Sequence, residues 1–146
     1  MSWTRENPGP LIAFSGSRKF TDRELVSHVF DRLHIRWRWM QVRVGDAKAG
    51  LDVMAAAEAT RRHIPLDVQE CYWPPWPSTK AQRWEAAHER NGRVIQDAAL
   101  LVAFYAPGAK TSGTTDAINQ AKARGIVVYV YHEGHWETIT PSEVAA

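Results

Sequence analysis

The sequence predicts an α/β fold, a single domain built on one doubly wound, mainly parallel five-stranded sheet with helices on both faces. Three observations carry this. The apolar runs Leu11–Phe14, Leu100–Tyr105 and Ile126–Tyr131 are short and not strictly alternating, as strands buried on both faces read. Helical stretches separate the strands, so strand and helix alternate four times before a fifth strand closes the chain. Such alternation implies parallel pairing with right-handed crossovers. Finally, 146 residues with 45% hydrophobic content suit one domain with a substantial core.

Residues Met1 to Pro10 form a polar lead-in punctuated by Pro8-Gly9-Pro10. Strand one follows at Leu11–Phe14 and breaks into Ser15-Gly16-Ser17-Arg18. A helix runs from Thr21 to about Arg36, with Thr21 and Glu24 spaced as a capping box. Leu25, Val29 and Leu33 recur on one of its faces. Strand two spans Trp39 to Val44 and ends in Gly45-Asp46. An Ala-rich helix then runs to about His63, where Ile64-Pro65 stops it.

Strand three is Leu66–Cys71. The segment Tyr72-Trp73-Pro74-Pro75-Trp76-Pro77 is excluded from regular structure by its prolines. Ser78 or Thr79 caps the next helix, Lys80 to about Gln96. Strand four is Leu100–Tyr105, followed by a loop from Ala106 to Ser112. The fourth helix, Gly113 to Arg124, carries a Ser112 cap and stops at Gly125. Strand five is Ile126–Tyr131. The core is thus residues 11–131, and 132–146 form a tail with room for one short strand or turn.

Bulk properties exclude several function classes. A net charge of +2 is too small to argue nucleic-acid binding from charge alone. Cys71 is the single cysteine, so an intramolecular disulfide is impossible and a cytoplasmic setting is expected. No stretch approaches the ~20 apolar residues of a membrane helix, and the start of the chain does not read as a signal peptide. The six histidines show no metal spacing, so no metal and no cofactor is expected.

With strand order 3-2-1-4-5, the order reverses between strands one and four. Ligands bind in the crevice outside the carboxyl ends at such a reversal. The loops converging there are Ser15–Lys19, Gly45–Asp52 and Ala106–Thr115. Each carries glycine with small polar or charged residues and leads into a helix N-terminus, which favours an anion.

The ordered set Gly16-Ser17-Arg18, Gly45-Asp46-Ala47-Lys48-Ala49-Gly50-Leu51-Asp52, Glu89-Arg90-Asn91 and Ser112-Gly113-Thr114 resembles the SLOG superfamily. Within it the set is most similar to the YspA/YpsA-related branch of small Rossmann-like proteins. The resemblance covers about Leu11 to Val130 and implies a nucleotide-binding crevice. More distantly, His88-Glu89-Arg90-Asn91, Pro107-Gly108 and Gly113-Thr114 resemble the signature of LOG-type phosphoribohydrolases. That likeness implies a catalytic role for Arg90. The enzymes' catalytic glutamate falls on Ala117, and the loop Ala109-Lys110-Thr111-Ser112 is longer than theirs. The adjacent carboxylate, Asp116, points roughly 100° away on a helix. DprA proteins, which process DNA, are also SLOG relatives.

Each candidate has a plain structural reading beside the functional one. Arg18 offers a fork of donors suited to phosphate, and Ser17 a hydroxyl. Asp52 holds a ribose hydroxyl or caps the second helix. Asp46 reads as a turn residue bonding its own backbone. Arg90 is expected to face the crevice, with Asn91 bonding a base or a loop carbonyl. Gly113, Thr114 and Thr115 form a helix start of small donors. Trp73 and Trp76 stack on a base or pack an interface. Lys110 is read as solvated. Arg36-Trp37-Arg38-Trp39 interleaves charge and aromatics as single-strand binders do, but a helix end meeting a strand, with Trp39 buried, explains it too. Cys71 is read as an inert core thiol.

The expected function is binding of a nucleotide or nucleotide-derived small molecule, using Gly16, Ser17, Arg18, Gly45, Asp46, Gly50, Asp52, Trp73, Trp76, Arg90, Asn91, Gly113, Thr114 and Thr115. The alternative is nucleoside-5′-monophosphate phosphoribohydrolysis through Arg90 and Asp116, and the third is single-stranded nucleic-acid binding. The seven tryptophans and the LOG-type likeness imply a homodimer or higher homo-oligomer.

Overall fold

The computed structural model describes residues 4, 6–108 and 110–141. Parts of the expected lead-in (Met1–Trp3 and Arg5), Ala109 of the α4-preceding loop, and residues 142–146 of the tail lie outside them. The elements in order are β1 (Leu11–Gly16), α1 (Arg23–Arg36), β2 (Gln41–Gly45), α2 (Leu51–Arg61), β3 (Leu66–Gln69), α3 (Lys80–Ile95), β4 (Leu100–Phe104), α4 (Ser112–Ala123), β5 (Val127–His132) and β6 (His135–Ile139).

They build one sheet of order β3-β2-β1-β4-β5-β6. The first five strands pair in parallel, as the alternation of elements requires. The sixth corrects the five-stranded expectation. Glu133 and Gly134 turn with positive φ, and β6 returns antiparallel on β5. Its residues His135 to Thr138 are exposed, so it lacks the apolar run that marks the buried strands.

Alternate residues of each central strand feed two separate cores. Ile12 and Phe14 of β1 with Leu100, Val102 and Phe104 of β4 meet α1 and α2, where Phe14 stacks on Phe30 at 4.8 Å. Ala13, Leu101 and Ala103 face the other way, onto Val94 and Ile95 of α3 and Ala117, Ile118 and Ala121 of α4. This layer mixes the alanines Ala13, Ala103, Ala117 and Ala121 with branched aliphatic side chains.

Two cap assignments change. Asp22, not Thr21, is the α1 cap, accepting the Leu25 N–H at 3.0 Å. α4 begins after Thr111, not Ser112, and no side chain caps it. At α3 the expectation resolves in favour of Thr79. Thr79 and Gln82 form a reciprocal capping box, at 3.0 Å and 2.8 Å.

Candidate functional site

A cleft of about 850 Å³ opens at the carboxyl ends of β1 and β4. This is the topological reversal, and the volume falls in the range of small-molecule sites. Its floor is the β1 turn. Gly16 is there because nothing larger fits: a Cβ would stand 2.6 Å from the Leu51 side chain and 2.9 Å from the Phe104 carbonyl. Ser17 is buried, and its backbone ties three elements together. Its N–H donates to the Phe104 carbonyl, and its carbonyl accepts from Leu51 and Phe20. Its hydroxyl oxygen accepts the Lys19 N–H at 3.1 Å. The turn thus presents Arg18 and Lys19 outward, both exposed and both on the cleft.

The β2 turn supplies the second wall. Gly50 has φ +79°, and a Cβ there would run into the Ser17 carbonyl and Arg18 backbone. Gly50 itself therefore buttresses the β1 turn and does not line the cleft. The position over Gly45 is shared. A Cβ there would stand 3.0 Å from both the Arg90 guanidinium and the Asp52 carboxylate, which places these two groups side by side on the cleft.

Asp52 does not cap α2, whose cap position is Gly50 without a side-chain bond. Instead its carboxylate, 7% exposed, accepts the Ala47 N–H at 3.2 Å. Burial pushes its carboxyl up to about 6, although the Ala47 N–H, Arg90 and Arg18 all favour the ionised form.

Asp46 is likewise no self-bonded turn residue. It accepts from the Cys71 N–H at 3.1 Å and from Arg90 at 2.6 Å, so it lies behind the cleft as an anchor. Cys71 is buried, and burial pushes its thiol up, as an inert thiol requires.

Arg90 faces the cleft as expected. Its Nε donates to Asn91 at 3.1 Å. Asn91 is buried and donates to the Gly113 carbonyl at 3.3 Å, the loop-carbonyl alternative of the sequence reading. Its amide also reaches Asp116 at 3.0 Å, and Asp116 in turn holds His88 at 2.7 Å and Gln120 at 3.0 Å. Asp116 is thereby engaged with α3 and does not line the cleft. Ala117 does.

Thr111, Ser112, Gly113 and Thr114 complete the cleft. Without a side-chain cap, the α4 first-turn N–H groups keep their capacity for an anion. Thr114 is buried, accepting from the Thr111 hydroxyl at 3.2 Å. Thr115 turns to the Tyr105 hydroxyl at 2.6 Å and is off the cleft. Lys110 lies over the Tyr105 ring, 5.7 Å from its centroid. Trp73 lines the cleft and Trp76, 86% exposed, does not. Trp39 is only half-buried, with Arg38 over its ring.

Sequence reasoning placed Lys19 in the Ser15–Lys19 loop without weighing it, and it missed the cleft residues Lys80, Arg83 and Trp84. A signal for the last three existed. Counting back from Arg90 in steps of three and four gives Ala87, Trp84, Arg83 and Lys80, one stripe of a helix. Among the described residues no group of His, Cys, Asp and Glu is arranged to hold a metal, and no helix is long and apolar enough to cross a membrane.

The fold defines a Rossmann-like α/β protein with a cleft at the sheet's reversal point. Residues 10–75 match the model of the YspA, cpYpsA-related SLOG family. No curated protein matches the chain. Among solved structures, a UDP-N-acetylglucosamine 2-epimerase matches with TM-score 0.50 at 15% identity over 84% of this chain. The UDP-GlcNAc 2-epimerase of Neisseria meningitidis, solved with UDP-GlcNAc, matches with TM-score 0.50 at 12% identity over 82%. The chain spans 31% of the length of each, and the likeness is one of fold.

Proposed function

We propose that the cleft binds a nucleotide or nucleotide-derived small molecule. The observation that carries this is the uncapped N-terminus of α4 opening on the same cleft as Arg18, a cation with no carboxylate within 4.0 Å among the described residues. Free N–H groups, the helix dipole and a guanidinium together make a phosphate site. Asp52 supplies an acceptor or, when protonated, a donor for a ribose hydroxyl. Arg90 offers charge, and Trp73 offers a face for the base. The match of residues 10–75 to a SLOG family model supports the same reading.

Thermal unfolding with ADP-ribose, NAD, AMP and cyclic dinucleotides tests it. A ligand at 100 times its Kd adds about 2.7 kcal/mol and raises Tm. No shift with any of them overturns the reading.

One observation favours a second reading, N-glycosidic hydrolysis of a nucleoside monophosphate. The carboxylate missing at Ala117 has a counterpart in Asp52, which is buried beside Arg90. A carboxyl group near a ribose can activate water or steady an oxocarbenium-like state. Release of free base from AMP, lost in Asp52→Asn and Arg90→Ala, is the expected result; no turnover at high protein concentration sinks it. Homodimerisation is proposed through the exposed Trp76 region, and sedimentation at micromolar concentration tests it.

A further inference from the structure

The face of α3 turned to the cleft is graded along its length. Lys80, Arg83, Trp84, Ala87, Arg90, Asn91 and Val94 all line the cleft, at spacings that place them on one stripe. The lower end has protein partners: Arg90 is bonded to Asp46 and Asn91, and Asn91 to Gly113 and Asp116. The upper end is not. Among the described residues neither Lys80 nor Arg83 has a carboxylate within 4.0 Å.

This placement runs against the helix's own electrostatics. Cations at an N-terminus oppose the macrodipole, and α3 has no acidic residue in its first turn to offset them. The capping box satisfies the Thr79 and Gln82 N–H groups at the start of α3. What remains is uncompensated positive charge, held in place. Arg83 donates to the Ser78 carbonyl at 2.6 Å and the Ser78 hydroxyl at 3.2 Å, which fixes its guanidinium at the rim. Beside it stand two half-exposed indoles, Trp73 at 50% and Trp84 at 44%. Lys80 sits ten residues before Arg90, a rise of about 15 Å along the helix.

We propose that Lys80, Arg83 and Trp84 form a second subsite, and that the ligand is of dinucleotide class, with two separated phosphates. One phosphate is held at Arg18 and the α4 N-terminus. The other meets Lys80 and Arg83, with a base against Trp84. This rests on the nucleotide reading above. It extends that reading because a monophosphate at Arg18 leaves the charged end of α3 without a partner.

Isothermal titration of AMP and the 5′-phosphorylated diadenylate pApA tests it, with the wild type, Lys80→Ala/Arg83→Ala and Arg18→Ala. Both substituted α3 side chains are exposed, and circular dichroism checks that the fold is kept. The expected result is pApA at least tenfold tighter than AMP. The α3 double variant removes that gain and leaves AMP unchanged, and Arg18→Ala weakens both. Equal affinity of AMP and pApA, or an equal loss of both in the α3 variant, overturns the second subsite while the nucleotide reading stands. Failure of both to bind the wild type strikes the nucleotide reading itself. A ten-residue oligoadenylate binding far more tightly than pApA also overturns the proposal, because the ligand is then a polymer.

Discussion

Arg90 and Asp46 meet at 2.6 Å across 44 residues of sequence, joining α3 to the turn after β2. The pair is largely shielded, with side-chain exposures of 14% and 29%. The same guanidinium lies beside the Asp52 carboxylate over Gly45. Arg90 thus has one acid that holds it and a second, protonatable acid next to it on the cleft.

Removing Arg90 leaves Asp46 with the Cys71 N–H as its remaining partner. Arg90→Ala is expected to cost about 1.5–3 kcal/mol, the range for lost hydrogen bonds to charged groups. Urea denaturation checks this. Arg90→Lys keeps the charge but not the fork that reaches both Asp46 and Asn91, so it recovers only part of the loss.

Asp52 makes stability depend on pH in a stated direction. Its carboxyl is raised from 3.8 to about 6 by burial, so the folded state holds the proton more tightly than the unfolded state. The unfolded chain ionises first as pH rises. Stability therefore falls between about pH 4 and pH 6, by about 3 kcal/mol in total. Asp52→Asn removes this slope. Chemical denaturation of both proteins from pH 4 to 7 reads it, and parallel curves for the two would contradict the assignment.

Gly16 is expected to tolerate no side chain. Gly16→Ala places a methyl 2.6 Å from Leu51, which is fully buried, and 2.9 Å from the Phe104 carbonyl. Overpacking of this kind costs about 1–3 kcal/mol. Because Leu51 opens α2 and Phe104 ends β4, ligand affinity is expected to fall with stability. Thermal unfolding and ligand titration of the same variant measure both.

Thr79 caps the helix that carries the proposed second subsite. Thr79→Ala removes one half of its capping box, for about 1 kcal/mol. Fraying is confined to the first turn, where Lys80 and Arg83 sit. The expected outcome is faster amide exchange at the start of α3, with Arg90 and Asn91 protected as before.

Local sequence determined a great deal here. The apolar runs of β1, β4 and β5 and the apolar spacing of α1 set the element order, because burial on two faces or one stripe leaves a period that can be read directly. Gly16-Ser17-Arg18 and Ser112-Gly113-Thr114 were legible as loops at the reversal point for the same reason: element order alone puts them there. Arg90 was found only through its resemblance, since a helical arginine has no local mark of burial.

The tertiary structure decided the partners. Asp46 read as a turn residue because a short-range bond is the default for aspartate beside glycine; the fold gave it Cys71 and Arg90 instead. Asp116 looked like the spare carboxylate of α4 and was drawn off by His88, Asn91 and Gln120. Asp52 read equally as a ribose ligand or a helix cap; the fold makes it no cap but a buried acid on the cleft. Helical period groups Lys80, Arg83 and Trp84 with Arg90, but only the fold turns that stripe to the cleft. Sequence sets which face a side chain occupies through backbone period. Which charge it meets there depends on how distant segments pack, and that only the folded chain determines.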